Sequence, residues 1–117
     1  MANYRIEKIN AEILRELTGL LREVKDPRMA SADIISITKV DTTPDLAQSK
    51  VYVSVLGSEE SKGSVIKGLT SAEGFLRTGL AQVLDLHATP KLIFVIDESA
   101  EYASHIEKVI QDIHKKG

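Results

Sequence analysis

At 117 residues, with 43% apolar and 27% charged side chains, the chain fits one globular domain over residues 1–117 and has little room for a second. The absence of cysteine excludes disulfides, thiolate metal sites and cysteine nucleophiles, and a formal net charge of −2 argues against nucleic-acid binding driven by bulk charge. No apolar stretch approaches the roughly 20 residues of a membrane span, and Glu7 and Lys8 fall where a signal peptide needs an apolar run, so a cytoplasmic protein without membrane contact is expected.

Over residues 4–25 the apolar positions Ile6, Ile9, Ile13, Leu17, Leu20, Leu21 and Val24 recur mostly at three and four, the period of a helix with one buried stripe. Asp26-Pro27 ends it, because proline disfavours the helical region for the residue before it. At about 100° per residue, Lys8, Arg15 and Arg22 lie almost on one line with Arg5 beside them, opposite the stripe. Glu12, Glu16 and Glu23 share that side. The face is therefore either a solvated one laced with pairs such as Lys8 and Glu12, or a phosphate-binding stripe.

Residues 34–42 and 49–56 are rich in Ile, Val and Thr, and in the second Val51, Val53 and Val55 alternate with Lys50, Tyr52 and Ser54. Thr43-Pro44-Asp45 between them supplies turn chemistry, which predicts an antiparallel hairpin with one buried face. Ser58, followed by Glu59-Glu60, caps a helix whose stripe is Val65, Ile66 and Leu69. That pattern breaks at Gly74 and restarts at once with Phe75, Leu76, Leu80, Val83 and Leu84, until Thr89-Pro90 stops it. The continuous apolar run 92–96 predicts a buried central strand, and Ser99 opens a final helix carrying Tyr102, Ile106, Val109, Ile110 and Ile113. The expected fold class is α+β, with helices covering one side of a three-stranded sheet.

Little else in the chain looks like reaction machinery. His87, His105 and His114 lack the spacing of paired ligands on one helix face, so no metal and no cofactor is expected. Gly57 is followed by Ser-Glu-Glu rather than by a glycine-rich phosphate loop, and Asp26, Asp41, Asp45 and Asp97 sit at element boundaries, where caps and turns explain an aspartate. At the break, Gly74 suits either a left-handed helix end or a kink. Ala72 and Gly74 both lack bulk, which leaves backbone amides approachable at the start of the next helix, where phosphate is favoured. Arg77 one turn on, Lys67 on the preceding helix and Lys91 at the last strand would complete a phosphate-binding surface, with Phe75 and Leu76 assigned to the core.

This order of elements resembles the type II KH domain, αββααβ. KH domains clamp about four nucleotides with a GxxG loop between the middle helices. Here Ala72-Glu73-Gly74 stands in its place, an Ala-x-Gly kink that resembles the ribosome-binding factor A family of bacterial ribosome maturation proteins. Further stretches carry the likeness along the chain: residues 9–24, Asp26-Pro27-Arg28, Val40 with Asp45-Leu46-Ala47, Val51-Tyr52-Val53-Ser54, Gly74-Phe75-Leu76-Arg77 and Pro90-Lys91-Leu92. The resemblance implies a non-enzymatic, monomeric assembly factor with no small-molecule substrate. It would bind the free small (30S) ribosomal subunit and its 16S rRNA, and assist late maturation including 5′-end processing, with a link to growth in the cold. Carried to this sequence, RNA would meet Ala72, Gly74 and Arg77, with Arg5, Lys8, Arg15 and Arg22 as a second contact. A slightly acidic chain without a long basic extension would rely on shape fit more than on counterion release. The competing functions are a regulatory α+β module for a metabolite or protein partner and, least supported, a small hydrolase.

Overall fold

The structure, a computed structural model, describes residues 4–84 and 89–99. Helix α1, Tyr4–Leu20, buries Ile9, Ile13 and Leu17, spaced four apart, against the sheet. Its stripe does not continue as α-helix to Lys25. The chain tightens into a 3-10 turn at Leu21–Glu23, and a second such turn at Pro27–Ser31 starts from Asp26, whose side chain accepts from the Arg28 amide with Pro27 in the first helical position.

Strands β1, Ile34–Thr42, and β2, Gln48–Leu56, form the expected antiparallel hairpin. Its turn is fixed by Asp45, whose Oδ1 accepts from Thr43 Oγ1 at 2.7 Å and from the Ala47 amide at 3.1 Å, while Leu46 takes a left-handed φ of 61°. The register shifts between Ile37 and Lys39, leaving Thr38 as a bulge. This single extra residue resets the alternation, so that Ile35 and Ile37 before it and Val40 and Thr42 after it all face the helices. Buried Thr42 is satisfied there: its amide donates to Asn10 Oδ1 at 3.0 Å and its hydroxyl lies 2.8 Å from that of Ser49.

Strand β3, Lys91–Ile96, pairs parallel to β2, and the sheet order is β1-β2-β3. The run 92–96 is thus an edge strand, not the central one expected. β2 takes the centre, and β3 reaches it through the helical crossover that parallel pairing requires. The apolar run on β3 is explained by burial of Leu92 and Phe94 under the helices with Ile93, Val95 and Ile96 half-buried. The final helix expected from Ser99 onward lies outside the described residues.

The crossover consists of α2, Glu59–Ser71, and α3, Glu73–Val83. Ser58 caps α2 as expected, its hydroxyl oxygen accepting from the Ser61 amide at 3.1 Å. The break sits at Ala72 rather than Gly74. Ala72, at φ −88° and ψ 3°, donates to the Gly68 and Leu69 carbonyls and accepts from the Leu76 amide, so one residue leaves the helical region while the bonding continues on both sides. That conformation lies in the bridge region, which is open to alanine, so the kink needs no left-handed glycine. Gly74 lies within α3 with a negative φ, and a Cβ added there meets nothing within 4 Å.

Val65, Leu69, Leu76 and Leu80 from α2 and α3 join the α1 residues over Val40, Val51, Val53, Val55, Leu92 and Phe94 of the sheet, closing one core. Two glycines mark close approaches of α2 and α3 to the first third of the chain. A Cβ on Gly79 would lie 2.7 Å from Leu20 Cδ1, so its absence lets α3 settle on the end of α1; one on Gly68 would lie 3.2 Å from Met29 Sδ, so α2 sits low on the second 3-10 turn. Among the described residues no helix is long and apolar enough to cross a membrane. Because Gly74 is an ordinary helical position in open space, Gly74→Ala is expected to raise stability by about 0.4–1 kcal/mol in urea unfolding. A loss would show that the position requires glycine's freedom after all.

Candidate nucleic-acid interface

The two close approaches bring the end of α1 and the α2–α3 kink side by side, and one arginine fastens them. Asp26 Oδ1 accepts from the Arg28 amide and from Arg28 Nε, each at 2.9 Å, and Oδ2 accepts from Nη2 at 2.6 Å. The same Nη2 reaches across to Ser71 Oγ at 2.9 Å. The guanidinium fork thus holds a carboxylate bidentately and still bonds the last residue of α2. These hydrogen bonds from Arg28 hold the Asp26 carboxyl down at about 2, and the same contact raises the Arg28 pKa.

Between the fastened elements lies a groove of about 400 Å³. Glu23, Val24, Lys25, Asp26 and Pro27 form one wall, and Ser71, Ala72 and Phe75 the other. Ala72 is half-buried and Gly74 exposed, so the small residues expected at a ligand surface do border open space. The first amides of α3 are left over there, as at any helix start. Phe75, expected in the core, is 47% exposed, whereas its neighbour Leu76 is 1% exposed. The kink sets the phase of α3 so that only one residue of the apolar pair faces inward.

The cations expected at this surface separate into three groups. Lys67, exposed on α2, precedes Ser71 by four residues and so shares its helix face, and Arg22 is exposed beside Glu23 of the groove wall. Lys25, exposed in the same wall, is a further cation that helical periodicity did not single out, because at about 100° per residue it falls off the line of Lys8, Arg15 and Arg22. Arg15, Lys8 and Arg5 are exposed along α1, but at 1.5 Å per residue Arg5 lies on the order of 20 Å from the kink end of that helix. The Lys8 and Glu12 pair does not close; among the described residues the stripe's ion pair is Arg15 to Glu16 at 3.8 Å.

Arg77 and Lys91 do not join the site. Arg77 Nη2 donates to the Thr89 carbonyl at 2.9 Å and its Nε is buried without a partner, so the guanidinium is turned inward toward the approach to β3. Glu73, one turn earlier, works beside it: its Oε2 accepts from the Leu92 amide at 2.8 Å. Arg77 therefore straps α3 to the lead into β3 through its Nη2 and does not line the groove. Lys91 is exposed at the start of β3, where alternation with buried Leu92 puts it on the sheet face away from the helices. A second concavity, of about 330 Å³ at the hairpin turn, is lined by Asp41, Thr42, Thr43, Pro44, Gln48 and Lys50 and contains none of these residues. Among the described residues no group of three or more His, Asp or Glu is placed to hold a metal ion; His87, His105 and His114 lie outside them.

Two outcomes follow from these contacts. The Asp26 pKa is lower folded than unfolded, so its contribution to stability is complete above about pH 5 and is lost as pH falls toward 2. Urea unfolding from pH 6 to 3 should show the wild type losing its advantage over Asp26→Asn; a constant gap would show that the carboxylate is not held by Arg28. Arg77→Glu sets an acceptor against the Thr89 carbonyl in a part-buried site, and unfolding should show a cost on the order of 1–3 kcal/mol. Unchanged stability would return Arg77 to the surface.

Residues 5–110 match the family model for Ribosome-binding factor A. A ribosome-binding factor A from Acetivibrio thermocellus is 45% identical over 109 residues, covering 92% of this chain and 87% of that protein, and one from Clostridium beijerinckii is 42% identical over 117 residues, covering 98% of each. The fold is similar to the solution NMR structure of a Thermotoga maritima ribosome binding factor A candidate, with a TM-score of 0.74, 31% identity, and 85% and 92% of the two chains covered. It is also similar to a Thermus thermophilus ribosome binding factor A homology model fitted into a cryo-EM map of a 30S complex, with a TM-score of 0.62, 25% identity, and 76% and 91% covered. With a matching family model over most of its length and relatives above 40% identity, the chain belongs to the ribosome-binding factor A family.

Proposed function

We propose that this protein binds the free small ribosomal subunit through its 16S rRNA and assists late maturation, including 5′-end processing, without itself catalysing a reaction. The observation that carries the proposal is the fastened kink. Arg28 ties Ser71 to Asp26, so that Ala72 and Lys25 line one groove, with exposed Gly74 two residues after Ala72, exposed Arg22 next in sequence to the wall residue Glu23, and exposed Lys67 one turn before Ser71. Helix-start amides and lysines supply phosphate donors, and a concave surface supplies shape, the means by which folded RNA is usually recognised. The α1 stripe of Arg5, Lys8 and Arg15 extends the same contact along the subunit. Membership of a family named for ribosome binding, with one relative fitted in a 30S complex, supports the same assignment. Action as a cytoplasmic monomer, and a role in growth in the cold, complete the proposal.

Purified protein should co-sediment with free small subunits. The double variant Arg22→Glu/Lys25→Glu, whose side chains make no fold contact described above, should weaken that binding and reduce its salt slope by about one for each phosphate contact removed. A cell lacking the protein should accumulate 16S rRNA with an unprocessed 5′ end, restored by the wild type and not by the double variant. Wild-type protein that stays at the top of the gradient at low salt would refute subunit binding.

A further inference from the structure

We propose that Phe75 is a stacking platform for a single unpaired rRNA base, which enters the groove between the kink and residues 24–27. This rests on the subunit-binding assignment above and specifies what the groove receives. A lone exposed apolar side chain is ordinary on a protein surface and would need no explanation. Phe75 differs in its setting. It is 47% exposed and borders a groove of about 400 Å³ whose other apolar members are Val24, Pro27 and Ala72. The volume falls within the range of small-ligand sites, room for one base with its sugar but not for a duplex.

The charges around the groove favour a nucleotide over an apolar peptide. Asp26, in the wall, is neutralised by Arg28 at 2.6 Å, leaving Glu23 as the wall's other carboxylate. Lys25 in the same wall offsets Glu23, and two further exposed cations, Arg22 next in sequence to Glu23 and Lys67 one helical turn before Ser71, are available to the phosphates on either side of an inserted base. Ser71 accepts from Arg28 and keeps its own hydroxyl proton to donate to a base edge. An aromatic face beside apolar walls, with cations at the rim, is the arrangement by which single-stranded RNA is held; bases inside a helix are already stacked and unavailable to it.

Base–aromatic stacking supports an affinity loss of roughly five- to hundredfold when the ring is removed. Phe75→Leu keeps apolar volume in α3 without the ring, and should weaken co-sedimentation with free small subunits by that factor at an unchanged melting temperature. Phe75→Tyr should bind as the wild type does. Phe75→Trp introduces the only tryptophan of the chain, and its emission should be quenched on titration with small subunits, since a stacked base quenches indole fluorescence. Wild-type binding together with an unaffected Phe75→Leu variant would overturn the proposal alone. A blue-shifted, unquenched tryptophan would likewise overturn it, showing that a protein surface covers the groove. Failure of the wild type itself to bind subunits would instead refute the underlying assignment, and this proposal with it.

Discussion

The bond from Arg28 Nη2 to Ser71 Oγ joins positions 43 residues apart, and the geometry of the candidate site depends on it. Arginine suits the task because its planar fork donates along two edges at once. One edge is engaged bidentately by Asp26, which stops the side chain from sampling other rotamers, and the remaining reach goes to the end of α2. A lysine would supply the charge but not the two fixed directions. The 3-10 turn begun by Pro27 places Arg28 beside Met29, and Met29 in turn meets the bare Gly68. Clamp and close approach therefore act on the same stretch of α2, and the kink one turn later inherits their precision.

Magnitudes separate what this clamp does from what holds the fold. The Arg28 and Asp26 side chains are 41% and 19% exposed, and an ion pair so open to water contributes little net stability. Burial of Ile13, Leu17, Val51, Val53, Val65, Leu69 and Leu80, each at or below 1% exposure, is worth about 1.5–3 kcal/mol per large apolar side chain. The core decides whether the chain folds. The clamp ties the end of α2, just before the kink, to the 3-10 turn at Pro27–Ser31, and the proposed contact depends on that second property.

Much of this was legible in the residues because local periodicity and burial agree. The α1 stripe, the clean alternation of β2, the Ser58 cap and the Thr43-Pro44-Asp45 turn all report contacts made within a few residues. What was not legible depends on contacts distant in sequence. The bulge at Thr38 shows no breaker residue, since threonine suits either pairing, and it appears only when the register with β2 is known. Whether the run 92–96 is central or at an edge is set by which strand β2 accepts as a second partner, a decision made by the crossover. The kink looked like a property of Gly74 because glycine is the usual helix breaker, yet a bridge-region alanine suffices when Arg28 and Met29 pin α2 just before it. Beyond that kink Phe75 faces outward and lines the groove, while the Arg77 guanidinium turns toward the Thr89 carbonyl. The lines that carried the family resemblance held more of the site than periodicity did, since Asp26-Pro27-Arg28 and the Ala-x-Gly stretch prove to be neighbours.

A net charge of −2 is compatible with the proposed polyanionic partner when the charges are taken locally. At physiological salt a charge is felt over about 8 Å, so the sum over the chain matters less than the groups within one groove. Several carboxylates are committed locally: Asp26 to Arg28, Asp45 to its turn, Asp97 to Thr38 and the Ser99 amide, Glu73 to the Leu92 amide and Glu59 to Lys62. Of these, Asp26 alone lines the groove, and its charge is matched at contact distance. Arg22, Lys25 and Lys67 are exposed and engaged in none of the ion pairs described here. Within the wall Lys25 offsets the exposed Glu23, so the lining is close to neutral, and the cations in excess of it are Arg22, next in sequence to Glu23, and Lys67, one helical turn before Ser71. With so little net charge at the groove, attraction at long range is weak, and the proposed contact would draw its affinity from fit within the groove rather than from capture at a distance.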